Sequence, residues 1–236
     1  MRPGVTAYDV ADHYDRAYFD DLVARYRTRN RFARQRIANV FRLLPGDLAG
    51  RTLIDIGCGM GTFTVEAARN GAHAIGIDPA VEAVQAGRRV AAAEGVPHAD
   101  FVQADAVLLP LPDRSCDIVL AADMTEHLDD DTLSRIIAEA YRSLREGGRI
   151  VIYTPEQSHL FERLKDSGVM TQDPSHIGIR SAADLANTLT RAGFKVEAVQ
   201  YLPSHLPGWN LLEHAFARWV PLLRRRIGLV AHKPAT

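Results

Sequence analysis

Three glycines on alternate positions behind a short apolar run constrain this chain more than any other feature: Leu53 to Gly61 reads L-I-D-I-G-C-G-M-G. Such a run is a buried strand ending at a turn open enough to bring backbone N–H groups against a nucleotide. The alternation argues against a dinucleotide. That fingerprint, Gly-x-Gly-x-x-Gly, needs its third glycine where this sequence, counted from Gly57 and Gly59, has Thr62. The pattern present is Asp55-x-Gly57-x-Gly59-x-Gly61.

The flanking chain alternates helix and strand. Phe19, Leu22, Val23 and Tyr26 fall on one helical face, and Ile37, Val40, Phe41 and Leu44 repeat it. Thr28 and Asn30 weaken the pattern between them, so residues 14–44 predict two helices or one bent helix, stopped by Pro45 and Gly46. The arginines there, from Arg25 to Arg36, alternate with a preceding set of aspartates and read mostly as a solvated face. A strand over 51–56 and a helix over 62–69 precede the Asn70-Gly71 stop. The strand 74–77 ends in Asp78-Pro79, a helix over 80–94 follows, and the strand 100–103 runs into Ala104-Asp105-Ala106. Strands separated by helices predict an α/β chain with a doubly wound, mostly parallel sheet. Asp55, Asp78 and Asp105 then stand at three consecutive strand ends, where such a sheet exposes its carboxyl edge to a ligand. The two oxygens of Asp78 match the two vicinal hydroxyls of a ribose. Its competing reading is helix capping, with Pro79 at the first helical position.

Further on, Leu108 to Leu128 reads L-L-P-L-P-D-R-S-C-D-I-V-L-A-A-D-M-T-E-H-L, and a helix over 131–144 leads into the turn L-R-E-G-G-R-I. These stretches and the glycine loop together resemble the class I S-adenosylmethionine (SAM) methyltransferases, and are similar to the ubiquinone-pathway O-methyltransferases among them. Cys116 stands where that family usually carries an aromatic residue. The resemblance implies a Rossmann-like, seven-stranded sheet with a terminal antiparallel strand, spanning one domain over residues 1–236. Residues 1–46 would form an N-terminal helical lid, and 155–180 and 203–225 insertions around the methyl acceptor. It further implies that Asp55, Gly57, Gly59 and Gly61 form the SAM loop, that Asp78 with Pro79 holds the ribose, and that Asp105 with Ala106 reads the adenine. Ala122 would offer its backbone, and Arg36 would hold the methionine carboxylate.

Methyl transfer is an in-line displacement from an activated sulfonium, so positioning supplies much of the rate, up to roughly 7–11 kcal/mol. A hydroxyl acceptor must also lose a proton, and His127, just past the fourth strand, is the natural base, with Glu126 beside it. Asp123, Glu126 and His127 have the spacing of one helical turn face. The related O-methyltransferases, and small-RNA 2′-O-methyltransferases with a later histidine, carry a similar run associated with a divalent metal such as Mg. On that likeness Asp123, Glu126, His127 and His176 form a candidate metal set. The competing reading is that Glu126 caps or pairs and His127 only lines a pocket. His159, His205 and His214 could face the acceptor; His13, His73, His98 and His232 read as structural or exposed.

Net charge of -1 and a pI near 6.8 give no general argument for a nucleic-acid or anionic-membrane partner. Nothing in the first residues reads as a signal peptide and no run approaches a membrane span, so a cytoplasmic protein with two reduced cysteines is expected. The stretch around Phe216, Trp219 and Leu222, flanked by arginines, reads as core, pocket wall or homodimer interface before membrane contact. The leading expectation is a SAM-dependent O-methyltransferase of a small phenol, quinol or sugar, releasing S-adenosylhomocysteine. Its rivals are a small-amine N-methyltransferase, an RNA 2′-O-methyltransferase and a SAM-binding protein without transferase activity.

Overall fold

A computed structural model describes residues 16–171, 173–206 and 208–235. The first part of the expected lid, with Asp12, His13 and Asp15, lies outside these residues. Seven strands form one sheet in the order β3-β2-β1-β4-β5-β7-β6. They are β1 (Thr52–Ile56), β2 (His73–Asp78), β3 (Ala99–Gln103), β4 (Cys116–Ala122), β5 (Leu144–Pro155), β6 (Lys195–Leu202) and β7 (Arg226–His232). The first five pair in parallel, and β7 inserts antiparallel to both β5 and β6. This is the expected doubly wound, mostly parallel topology.

Alternate strand residues feed opposite faces, as the pleat requires. Ile54, Ile56, Val119, Ala121, Ile150 and Ile152 pack with helices α5 (Asp130–Ser143) and α7 (Ala182–Arg191). Leu53, Ile118, Leu120 and Val151 pack on the other face with α2 (Arg31–Leu43) and α3 (Thr62–Arg69). Burial on both faces explains why β1 and β4 read as continuous apolar runs. A third cluster joins Phe19 and Tyr26 of α1 (Arg16–Arg27) to Val84 and Val90 of α4 (Val81–Ala93).

The predicted N-terminal helical stretch is two helices. Arg29 takes a positive φ of 46°, and Asn30 caps α2 by accepting from the Ala33 amide at 2.8 Å. Tyr26 of α1 donates to Glu66 of α3 at 2.6 Å, and Arg29 pairs with the same carboxylate, which fixes the helices over the glycine loop. Ser181 caps α7 by accepting from the Asp184 amide, three residues on in a local Ser-x-x-Asp pattern. The insertions carry α6 (Leu160–Asp166) and α8 (Trp209–Phe216). The apolar stretch after α8 is not core: Trp219 is 71% exposed. No helix among the described residues is long and apolar enough to cross a membrane. Both cysteines are buried free thiols, and Cys116 fills a fully enclosed core position.

Candidate functional site

The glycine loop leaves β1 at the carboxyl edge and enters α3. Gly57 and Gly61 both have positive φ, 66° and 80°, a region costly for residues with a Cβ. Space adds a second requirement: a Cβ on Gly57 would meet Met124 Cγ at 2.7 Å, and one on Gly61 would enter the Phe101 ring. Beneath the loop Asp55 is 1% exposed, and its carboxylate accepts from Thr64 Oγ1 at 2.7 Å, bracing the first turn of α3.

Burial pushes the Asp55 carboxyl up to about 7, against the pull of Thr64. A carboxyl raised above its unfolded value supports the fold fully at low pH and loses that support as pH rises through its folded value. Wild-type stability should therefore fall between roughly pH 4 and 7 by a few kcal/mol on this group's account. Asp55→Asn, which can still accept from Thr64, should remove that part of the slope. Urea melts across the pH range check this, and parallel pH profiles for the two proteins would contradict it.

Asp78, at the end of β2, accepts from the Gly59 amide at 2.9 Å and the Ala80 amide at 3.0 Å. It therefore ties the loop to its own strand end, and both oxygens retain further lone pairs for hydroxyl donors. The capping expectation shifts by two residues: Ala80, not Asp78, occupies the N-cap and Pro79 precedes it. Asp105 is exposed after β3 with one oxygen on the Val107 amide; Ala106 next to it is buried, and so is Ala122, at the end of β4.

At the exit of β4 the structure departs from the sequence reading. Asp123 was expected to share one helical face with Glu126 and His127. Instead it takes φ 54°, and only Thr125–His127 form a short 3₁₀ turn. Its carboxylate is held between two arginines, accepting from Arg36 Nε at 2.7 Å on one oxygen and from Arg226 Nη1 at 2.6 Å on the other. Asp123 is thus an ion-pair centre rather than a member of the metal set, and burial loses to the two guanidinium groups, which hold its carboxyl below the usual range. Arg36 is correspondingly engaged by Asp123, with Phe63 and Phe32 under its guanidinium, and not a lone cation waiting for a carboxylate.

The remaining three members do converge. One ligand atom each from Glu126, His127 and His176 lie within 4.8 Å of one another. Glu126 is 2% exposed and accepts from Thr154 Oγ1 at 2.9 Å; burial, then the charge of Asp123, pushes its carboxyl up to about 7. The Nδ1 of His127 lies 3.1 Å from the Ser175 carbonyl, which can only accept, so Nδ1 carries the proton and Nε2 is the basic nitrogen. Burial lowers the His127 pKa, keeping the ring neutral near pH 7. The His176 ring packs edge-on to it at 4.9 Å, and its buried Nδ1 has no hydrogen-bond partner among the described residues. The insertion is pinned there by the Gly178 amide on the Glu126 carbonyl, 2.9 Å, and by Arg180 on the carbonyls of Thr125 and Leu128.

Of the other histidines, His159 is fully buried and caps α6 through the Phe161 amide, whereas His214 is exposed. His205 lines a small cavity with Arg36, Asn39, Tyr153, Arg225 and Arg226. Arg225 and Arg226 are the residues sequence reasoning missed, having read the Arg224–Arg226 run as the flank of an apolar stretch. The signal was available: an antiparallel last strand starts at the carboxyl edge of the parallel ones.

A methyltransferase-domain family model matches residues 23–199. A Mycolicibacterium smegmatis protein named "probable S-adenosylmethionine-dependent methyltransferase" is 33% identical over 158 residues, 67% of this chain and 57% of its own length. The 27-O-demethylrifamycin SV methyltransferase of Amycolatopsis mediterranei is 28% identical over 84% of this chain and 73% of its own. A solved SAM-dependent methyltransferase from Thermotoga maritima superposes with a TM-score of 0.68 at 19% identity, covering 94% of this chain and 98% of that one. The chain spans 45% to 62% of the length of three curated relatives that it matches. The strand order, the glycine loop and the family match across most of the chain agree, and the chain belongs to the class I SAM-dependent methyltransferases.

Proposed function

We propose that the chain transfers the methyl group of SAM to a hydroxyl of a small molecule, a phenol, quinol or sugar, releasing S-adenosylhomocysteine. SAM lies along the ends of β1, β2 and β3, its ribose on Asp78 and its adenine beside Asp105 and Ala106. The observation that carries hydroxyl chemistry is the fixed tautomer of His127, whose basic Nε2 belongs to a neutral ring grouped with Glu126 and His176. A neutral amine already has its lone pair and gains little from such a base, which favours oxygen over nitrogen.

Glu126, His127 and His176 also suit a divalent cation: one carboxylate and two imidazoles converge, and an orphaned buried ring nitrogen is among them. Asp123 does not join them, because both its oxygens serve arginines. A bound divalent cation would polarise and acidify the acceptor hydroxyl. The protein's own part is to orient that hydroxyl, exclude water and hold His127 in one tautomer.

Rates with catechol and with aniline, measured before and after EDTA treatment, test the reading. Methylation of catechol alone, lost with chelator and restored by Mg, is expected. Methylation of aniline alone would replace the hydroxyl reading with the amine one, and a catechol rate untouched by EDTA would assign His127 as a base acting without metal. For the donor, Asp78→Ala should weaken SAM binding at least about tenfold, or about 1.4 kcal/mol. Calorimetry giving an unchanged dissociation constant would contradict the ribose assignment.

A further inference from the structure

On the far side of the β4 exit from the SAM strands, a cavity of about 30 Å³ opens between α2 and the ends of β5, β6 and β7. A water occupies roughly 10–15 Å³ by this kind of measure, so the space suits about two waters or one group of carboxylate size. The antiparallel course of β7 creates it. Arg226 pairs in register with Pro155, the last residue of β5, and with Leu202, the last of β6, so Arg225 and Arg226 reach the edge where the parallel strands end.

The wall is electrostatically one-sided. Arg36, Arg225 and Arg226 line it with no acid among the lining residues, and the acid that Arg36 and Arg226 share, Asp123, has both oxygens taken by them. Arg225 stands apart. Its Nη1 is buried and has no hydrogen-bond partner among the described residues, and the nearest acid, Glu162 at 3.9 Å, is bonded to Lys165 at 3.1 Å. A buried guanidinium N–H left without an acceptor is unfavourable, and the planar fork of arginine matches the two oxygens of a carboxylate or phosphate. His205, on the same wall, has its pKa lowered by burial and then by Arg225 and Arg226, a second sign of the positive field.

We infer that the methyl acceptor carries an anionic group, a carboxylate or phosphate, and that this group docks in the cavity on Arg225 while the hydroxyl reaches His127. This deepens the O-methyltransferase reading and rests on it for the identity of the ligand as acceptor. The placement distinguishes it from the donor, whose loop and acids belong to β1, β2 and β3 on the opposite side of β4. A carboxylate could also come from the methionine end of SAM, and the test separates the two sources.

The probes are 3,4-dihydroxybenzoate and its methyl ester, titrated by calorimetry into protein saturated with S-adenosylhomocysteine. The acid should bind at least tenfold more tightly than the ester. Arg225→Gln should remove that preference without changing S-adenosylhomocysteine affinity, and Arg225→Lys, which keeps the charge, should restore part of it; melting temperatures of both variants control for folding. Acid bound no more tightly than ester, including no binding of either, or an acid affinity unchanged in Arg225→Gln, overturns the inference. So does a tenfold loss of S-adenosylhomocysteine affinity in Arg225→Gln together with exclusion of the acid by that ligand, since the cavity would then hold the donor's carboxylate. Because the readout is binding, failure of methyl transfer to oxygen would count against the O-methyltransferase reading separately.

Discussion

Replacing His127 with alanine is expected to lower kcat for a hydroxyl acceptor by about 10²–10⁴-fold, the usual worth of a positioned acid or base, while leaving SAM affinity unchanged. Three features combine to give this effect. The Ser175 carbonyl at 3.1 Å holds the proton on Nδ1 and leaves the lone pair on Nε2, to take the acceptor's proton or to hold the cation that acidifies it. Burial lowers its pKa, which favours the neutral ring near pH 7. The ring is also held by its edge-on contact with His176 and by the insertion pinned through Arg180, so its geometry is set before an acceptor arrives. The residue lies beyond the β4 exit, away from Asp78 and Asp105, which are proposed to hold the donor, so binding of SAM should not move. Steady-state kinetics with catechol, alongside calorimetry with SAM, separate the two terms. A variant that keeps nearly the full rate would show that the acceptor needs no proton removed by this residue.

Asp123→Ala should destabilise the fold by about 3–5 kcal/mol, the usual consequence of removing one partner from a buried charge cluster. In a chain of this size that corresponds to a fall in melting temperature of roughly 6–20 °C. The carboxylate receives Arg36 and Arg226 on separate oxygens, and its removal leaves two guanidinium groups facing each other with no counter-charge between them. Backbone conformation adds to the effect, because alanine is strained at φ 54° while asparagine tolerates it. Asp123→Asn should therefore lose less, retaining the turn and one or two hydrogen bonds but not the charge. Combining Asp123→Ala with Arg36→Met should recover part of the loss by removing one of the stranded cations. Thermal melts that place Asp123→Ala within a degree or two of wild type would contradict this account of the β4 exit.

What the sequence discloses and what it hides follow from the range of the interactions. The strands, the glycine loop and the acids at the first three strand ends depend on neighbours a few residues away, and Leu53–Gly61, Asp78 and Asp105 fall where their local pattern puts them. The Ser181 cap of α7 is equally local. Asp123 is the opposite case. Helical spacing suggested a face shared with Glu126 and His127, yet the side chain answers to Arg36, 87 positions earlier, and to Arg226, 103 positions later. No local pattern contains those partners. His159 is similar: its position in the insertion suggested the acceptor, but its ring is enclosed and caps α6. His176 sits beside His127 through the Gly178 and Arg180 contacts, which are invisible in spacing; only the family resemblance points to it. Arg225 and Arg226 become meaningful once β7 is known to run antiparallel, which turns the start of a strand into part of the ligand edge.

Transfer to oxygen is tested by incubating the protein with SAM bearing a trideuteromethyl group and a set of phenols, quinols, sugars and matched amines, and locating the label by tandem mass spectrometry. The intact trideuteromethyl group is expected on an oxygen of the acceptor, with an equal amount of S-adenosylhomocysteine and loss of product in His127→Ala. Label found only on nitrogen, or SAM bound tightly with no labelled product from any acceptor, would contradict it.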